Sequence, residues 1–207
     1  MEKFVITIAR GYGSGGKTIG KMLAERLGVS YYNRELLRMA SEESGIHERF
    51  FGKADERVRT GLFKQSGVYK GTLISPDSED FVSDDNLFNY QAKVIKELAE
   101  KESCVIVGRC ADYVLKDCAN VVRVFVHAPL ESCINTVMEL YGVSRKEAEK
   151  TILTTDKQRS SYYMHYTGKE WHDAENYDLC LNSAELGFEK CVEIVEAYLK
   201  IRFQQKP

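Results

Sequence analysis

The sequence predicts an open α/β fold, a parallel sheet covered by helices on both faces, on three observations. Apolar runs of strand length recur along the chain, amphipathic helical stripes separate them, and the first run leads through a glycine-rich loop straight into a helix. Phe4 to Ile8 is the first run, rich in β-branched residues and bounded at Gly11. From Gly16 the period changes: Ile19, Met22, Leu23 and Leu27 share one helical stripe, and Gly28 supplies the stop. Cys104 to Val107 and Val121 to Val126 are two further strands, and Leu179 to Leu181 is a candidate fourth. Pro129 stands at a helix start ahead of the stripe Leu130, Cys133, Ile134, Val137, Met138, Tyr141. Ser144 and Glu147 have capping-box spacing, so another helix begins there, and Phe188, Cys191, Val192, Val195 and Leu199 form the last stripe.

Two stretches do not fit this alternation. Residues 46–85, with Gly52, Gly61, Gly67, Gly71 and Pro76, read as a mobile insertion, and residues 156–176 are polar and aromatic without a clean period. Both are candidates for moving parts. The 207 residues suit a single domain, 1–207, and the mix of 43% hydrophobic and 29% charged residues excludes a disordered tail or a membrane protein. Lys+Arg 29 against Asp+Glu 31 argues against a protein that coats a nucleic-acid polymer or an anionic membrane, so any basic site is local. The first residues show no signal-peptide pattern, and the chain reads as intracellular, with a cytoplasmic location expected. None of the six cysteines forms a C-x-x-C pair, and buried free thiols are expected, with Cys110 the exception because it falls in a candidate site. The four histidines are dispersed and read as structural or surface groups.

Gly11-Tyr12-Gly13-Ser14-Gly15-Gly16-Lys17-Thr18 matches G-x-x-x-x-G-K-[ST], between a strand and a helix. Glycines let successive N–H groups curl around a phosphate, and the helix N-terminus adds its positive end. Lys17 bridges terminal phosphate oxygens in such loops, and the Thr18 hydroxyl ligates Mg²⁺. Gly11, Gly13, Ser14, Gly15, Gly16, Lys17 and Thr18 are therefore the candidate nucleotide-binding residues. No N-K-x-D base-reading motif occurs, and the run Cys104 to Val107 ends in Gly108-Arg109 rather than in an acid, so neither a GTPase nor a motor ATPase is indicated.

The segments ITIARGYGSGGKTIG, YYNRELL, CVIVGRCADYVL, DKQRSSYYMHYTGKEW and NYDLCLNSAELG, in this order, resemble the cytidylate kinase-like family of P-loop nucleoside monophosphate kinases. Gly108-Arg109 after a strand and Asp156-x-x-Arg159 in a late basic segment carry most of that resemblance. It implies a P-loop kinase sandwich of three layers with a five-stranded parallel sheet. It also implies a monophosphate-binding insertion that includes residues 46–85, a lid region over 144–176, and ATP-dependent phosphorylation of CMP or dCMP with Mg²⁺. The partners expected are small nucleotide substrates.

Phosphoryl transfer between two polyanions makes a matching demand: charge has to be neutralised and water excluded, so cations must arrive from mobile segments. Arg109, after a sheet strand, reads as a clamp for the acceptor phosphate or as a helix-start arginine paired on the surface. Lys157 and Arg159 read as lid cations or as a solvated helix face, with Asp156 orienting Arg159 or capping a turn. Asn33 and Arg34 stand where such kinases begin their acceptor site, often with an acid in place of Asn33, which reads equally as a helix cap. Cytidylate kinases carry Asp-Gly-Arg-Asp where this chain has Val107-Gly108-Arg109-Cys110, so Asp112 reads as the nearest substitute for a Mg²⁺-water or acceptor-orienting carboxylate, or as a surface acid in the first turn of a helix. Tyr162, Tyr163, Tyr166 and Trp171 either stack on a base or pack the segment onto the core. Two other functions stay open: a regulatory nucleotide-binding protein with weak or no catalysis, and a kinase of a non-nucleotide metabolite.

Overall fold

A computed structural model describes residues 3–56, 69 and 71–203. Its centre is β1, Val5–Arg10, buried along its length because both faces are covered. Beside it run β3, Cys104–Val107, and β4, Val121–His127; β2, Ser30–Tyr32, and β5, Leu179–Asn182, complete the order β2-β3-β1-β4-β5. Every pairing is parallel. Alternate residues feed two cores. Ile6, Ile8, Val105, Val107, Val122 and Val124 pack against α1, Gly16–Leu27, and α8, Ser183–Phe203. Val5, Ala9, Cys104, Ile106, Val121 and Phe125 face α2, Glu35–Ser44, α3, Glu48–Glu56, α4, Asp84–Lys101, and α5, Ala111–Val114.

The helices follow their local signals. In α1 the stripe buries Ile19 and Leu23, and Gly28 ends the helix at φ 65°, a conformation that favours glycine. Helix α6, Leu130–Tyr141, buries Cys133, Ile134 and Val137, while Leu130 and Tyr141 lie at the exposed margins of the expected stripe. Pro129 is its N-cap rather than its first helical residue. At Ser144 the capping box is complete: its side chain accepts from the Glu147 N–H, and the Glu147 carboxylate accepts from the Ser144 N–H. The helix it starts, α7, Arg145–Thr167, runs unbroken for 23 residues.

Half of the expected irregular stretch 156–176 is therefore helical. Its apolar residues sit on two separate contacts, Ala148 and Ile152 against α6 and Tyr163 and Tyr166 against the main core, with polar residues between. That division removes a single stripe. The ends of 46–85 also differ from a mobile insertion, since α3 buries Phe51 and Ala54, and a short 3₁₀ turn, Glu79–Val82, leads to Ser83, whose hydroxyl caps α4. The middle of that insertion, with Gly61 and Gly67, lies outside the described residues. Four thiols, Cys104, Cys110, Cys133 and Cys191, are buried, Cys118 is half-buried and Cys180 exposed, and all six are free. No helix among the described residues is long and apolar enough to cross a membrane.

Candidate nucleotide and phosphoryl-acceptor site

The loop between β1 and α1 is held from three sides. Gly13 and Gly15 adopt φ 82° and 79°. A Cβ on Gly13 would come within 2.8 Å of the Cys133 carbonyl on α6, and one on Gly15 would overlap the Phe188 ring, so the bend admits only glycine. Phe188 reaches it because α8 is interrupted at Gly187 (φ 74°, ψ 164°). The buried Ser14 hydroxyl lies 2.9 Å from the Gly11 carbonyl and 3.1 Å from that of Val126, and the Ser183 hydroxyl donates to the Ser14 carbonyl at 2.6 Å. Ser14 thus fixes the loop's backbone. No acidic residue lies in the first turn of α1, and Lys17 and Thr18 there are exposed. A tethered glycine nest at the N-terminus of a 12-residue helix, with a lysine and a hydroxyl in its first turn, fits a polyphosphate and its Mg²⁺.

Helix α7 is fastened to this loop at mid-length. The Tyr12 N–H donates to Asp156 Oδ1 at 2.8 Å, and Arg159 Nη1 donates to the Arg10 carbonyl at 3.0 Å and to Asp156 Oδ1 at 3.3 Å. The Arg159 guanidinium also stands 5.5 Å from the centre of the Tyr12 ring. Burial raises the Asp156 carboxyl above its usual range, opposed by the Tyr12 N–H and by Arg159. Burial pulls Arg159 downward, opposed by Asp156 and Tyr12.

The turn after β3 is the other half of the site. Gly108, Arg109 and Cys110 adopt φ 83°, 59° and 52°, three successive left-handed residues of which two have side chains. Such a conformation costs on the order of 1–3 kcal/mol per strained residue and persists only where the surroundings enforce it. Here the Gly108 N–H is held by the Ile8 carbonyl at 3.0 Å, and the Ala111 N–H returns to the Gly108 carbonyl at 3.1 Å. Arg109 Nη1 donates to Gln91 Oε1 of α4 at 2.9 Å, and Nε to the Asn33 carbonyl at 3.4 Å. Asn33 does not cap α2 with its side chain; Arg34 is the N-cap residue.

Between this turn and α7 lies a cavity of about 220 Å³, lined among others by Arg10, Asn33, Arg109, Asp112, Arg159 and Trp171. Asp112 Oδ2 accepts from the Tyr163 hydroxyl at 2.6 Å. Burial raises its carboxyl above the ordinary range, with the Tyr163 hydrogen bond opposing, and pushes the Tyr163 hydroxyl upward as well. The aromatic cluster divides: Tyr162, Tyr163 and Trp171 line the cavity, whereas Tyr166 stacks on Phe88 with ring centres 3.9 Å apart.

Of the residues singled out from sequence, the structure brings Asn33, Arg109, Asp112, Asp156 and Arg159 to the cavity or to the loop beside it. Arg34 and Lys157 are exposed and line no part of the cavity. Sequence reasoning missed Arg10 and Gln91, and named Tyr163 only as a stacking or packing aromatic, not as the partner of Asp112. Arg10 directly precedes the loop motif and was open to notice; Gln91 belongs to the site only through its contact with Arg109.

A phosphate-binding loop at the C-terminal edge of a five-stranded parallel sheet, facing a cation-lined cavity, defines a P-loop kinase, a nucleotide-binding phosphotransferase. The model of the cytidylate kinase-like family matches residues 5–185, and the chain belongs to that family. The cytidylate kinase of Pyrococcus horikoshii is 25% identical over 197 residues, covering 95% of this chain and 88% of its own. That of Thermotoga neapolitana is 26% identical over 219 residues, covering 95% and 99%. Among solved structures, an uncharacterized protein from Eubacterium ventriosum is similar at TM-score 0.72 and 26% identity, covering 96% of this chain and 99% of that one. The shikimate kinase of Bacteroides thetaiotaomicron shares the fold at TM-score 0.54 and 16% identity, covering 95% and 98%.

Proposed function

We propose that the protein transfers the terminal phosphoryl group of ATP to a nucleoside monophosphate, with CMP or dCMP the leading acceptors. One observation carries this reading: the cavity beside the loop has three arginines, Arg10, Arg109 and Arg159, on its wall, and Asp112, the one carboxylate among its described lining residues, is buried and engaged by Tyr163. A hydroxyl acceptor needs a base to take its proton in the transition state, whereas a phosphate acceptor needs its charge balanced and its oxygens aligned. The wall suits the second. The names of the relatives, cytidylate kinases, point the same way.

In this mechanism the N–H groups of the loop and Lys17 hold the donor's phosphates, and Thr18 would hold a Mg²⁺ ion that would supply further charge neutralisation when bound. Arg109 grips the acceptor phosphate. Arg159, carried by α7 and aligned by Asp156, meets charge shared between the two substrates. The acceptor needs no deprotonation by the protein.

The test is ADP release with ATP and Mg²⁺ across CMP, dCMP, UMP, AMP and GMP, beside small polyols and hydroxy acids. Turnover with a pyrimidine monophosphate is expected. Turnover with hydroxyl acceptors alone would make the protein a metabolite kinase. The absent acids at Val107 and Cys110 favour a second reading, a nucleotide-binding regulator, and ATP binding without turnover on any acceptor would support it.

A further inference from the structure

Arg10 occupies a position that neither the loop motif nor the resemblance assigns. It ends the central strand, one residue before the glycine loop. Its stem passes the loop: a Cβ on Gly16 would come within 2.5 Å of Arg10 Cβ. Its guanidinium ends at the acceptor turn, where a Cβ on Gly108 would overlap Nη1. Two glycines, one in the donor loop and one in the acceptor turn, thus leave room for a single side chain threaded between the two halves of the site. That side chain lines the cavity with Arg109 and Arg159, and burial raises both the Asp156 carboxyl and the Tyr31 hydroxyl, with the Arg10 charge among the contributions that oppose this.

We propose that Arg10 binds the oxygens of the acceptor phosphate on the side that faces the glycine loop, holding the attacking oxygen in line with the donor. The inference rests on the function proposed above and adds a residue and a role to it. In the step served, a P–O bond forms between an acceptor phosphate oxygen and the terminal phosphorus of ATP, and the P–O bond to ADP breaks with its electron pair leaving on ADP. Arg10 donates hydrogen bonds throughout and keeps its protons. Its planar fork suits a phosphate edge better than the single ammonium of a lysine.

Arg10→Gln and Arg10→Lys test this by calorimetric titration, with CMP and with inorganic phosphate in the presence of a non-hydrolysable ATP analogue, and with that analogue alone. Loss of a charged, forked donor should weaken CMP and phosphate binding roughly 10- to 100-fold in Arg10→Gln. Arg10→Lys should lose less, and analogue binding should stay within about twofold in both. Gly108→Ala, which displaces the guanidinium, should show the same asymmetry, and its combination with Arg10→Gln should be no worse than the larger single effect. Equal CMP and phosphate affinity in Arg10→Gln and wild type would overturn the proposal. So would a loss of analogue affinity as large as that for CMP, or a fall in unfolding temperature that accounts for both, since a brace for the turn predicts these. Should Arg10→Gln not fold, Arg10→Lys decides on the same titrations. A wild type that binds CMP through Arg10 without turnover would refute the kinase reading and leave the binding role standing. Turnover of CMP with affinity indifferent to Arg10 would do the reverse, and a wild type that binds neither CMP nor phosphate would end both.

Discussion

Arg109 holds its place in the cavity proposed to take the acceptor through a backbone conformation that arginine rarely adopts, φ 59° between Gly108 at 83° and Cys110 at 52°. The hydrogen bond from its guanidinium to Gln91 Oε1 ties that strained turn to α4. Arg109→Ala removes the clamp, so acceptor KM should rise or turnover fall by on the order of 100-fold, from about 3 kcal/mol, while ATP binding stays near normal. Separate titrations of the two substrates check it; equal losses for both would mark a structural arginine. Asp112 gives a prediction of another kind. Burial raises its carboxyl in the folded chain, so the native state holds a proton that the unfolded chain releases near pH ~3.9. Its effect on stability is therefore neutral below that pH and grows unfavourable as pH rises toward the raised folded value. Asp112→Asn, which cannot ionise, should match wild type in stability at pH ~3.5 and gain on it progressively above ~4. Denaturant melts of both proteins across that range give the answer, and a constant gap would mean that Asp112 is ordinary in the folded state.

Helix α7 is the element on which the two halves of the site depend. At 23 residues it spans roughly 35 Å, long enough to touch the α6 cluster at one end, the glycine loop at its middle and the main core at the other. Because Arg159 sits at that middle contact, Arg159→Ala should lower kcat more than it raises KM for either substrate, as expected of a group that acts on charge present only in transfer. Amide exchange over 156–167 should slow further with a bisubstrate analogue than with ATP alone, and indifference to both ligands would reduce α7 to a structural brace. Part of this element was legible in sequence. Ser144 and Glu147 mark its start by a local, four-residue rule, while its course through Tyr162 to Tyr166 was hidden because its apolar contacts belong to two different cores. Helix α4, by contrast, carries a local signal of the same kind as α1, since Leu87, Tyr90, Val94 and Leu98 fall at i, i+3, i+7 and i+11 on one buried face, and it was passed over in sequence because it follows directly on the irregular stretch 46–85. Strand β2, three half-buried residues at the sheet's edge, is too short to register as an apolar run.

At the scale of the whole molecule, the parallel register of β1 with β3, which sets Ile8 beside Val107, brings the glycine loop and the Arg109 turn to one edge of the sheet. The loop itself was readable from sequence, because its chemistry needs glycines, a lysine and a hydroxyl at fixed spacing. The facing side of the cavity was readable only in part: Arg10 adjoins the loop motif and Tyr163 stood among the candidate aromatics, but Gln91 and the Tyr163–Asp112 pair arise from contacts between distant segments that no local pattern encodes. If this edge receives an acceptor through its phosphate, CMP and cytidine, which differ by that group alone, must behave differently. With ATP and Mg²⁺, product analysis should show CDP formed in step with ADP from CMP, no product from cytidine, and loss of CDP formation in a folded Lys17→Ala variant. Phosphorylation of cytidine at a rate equal to or above that of CMP would mean that the acceptor is held by something other than its phosphate.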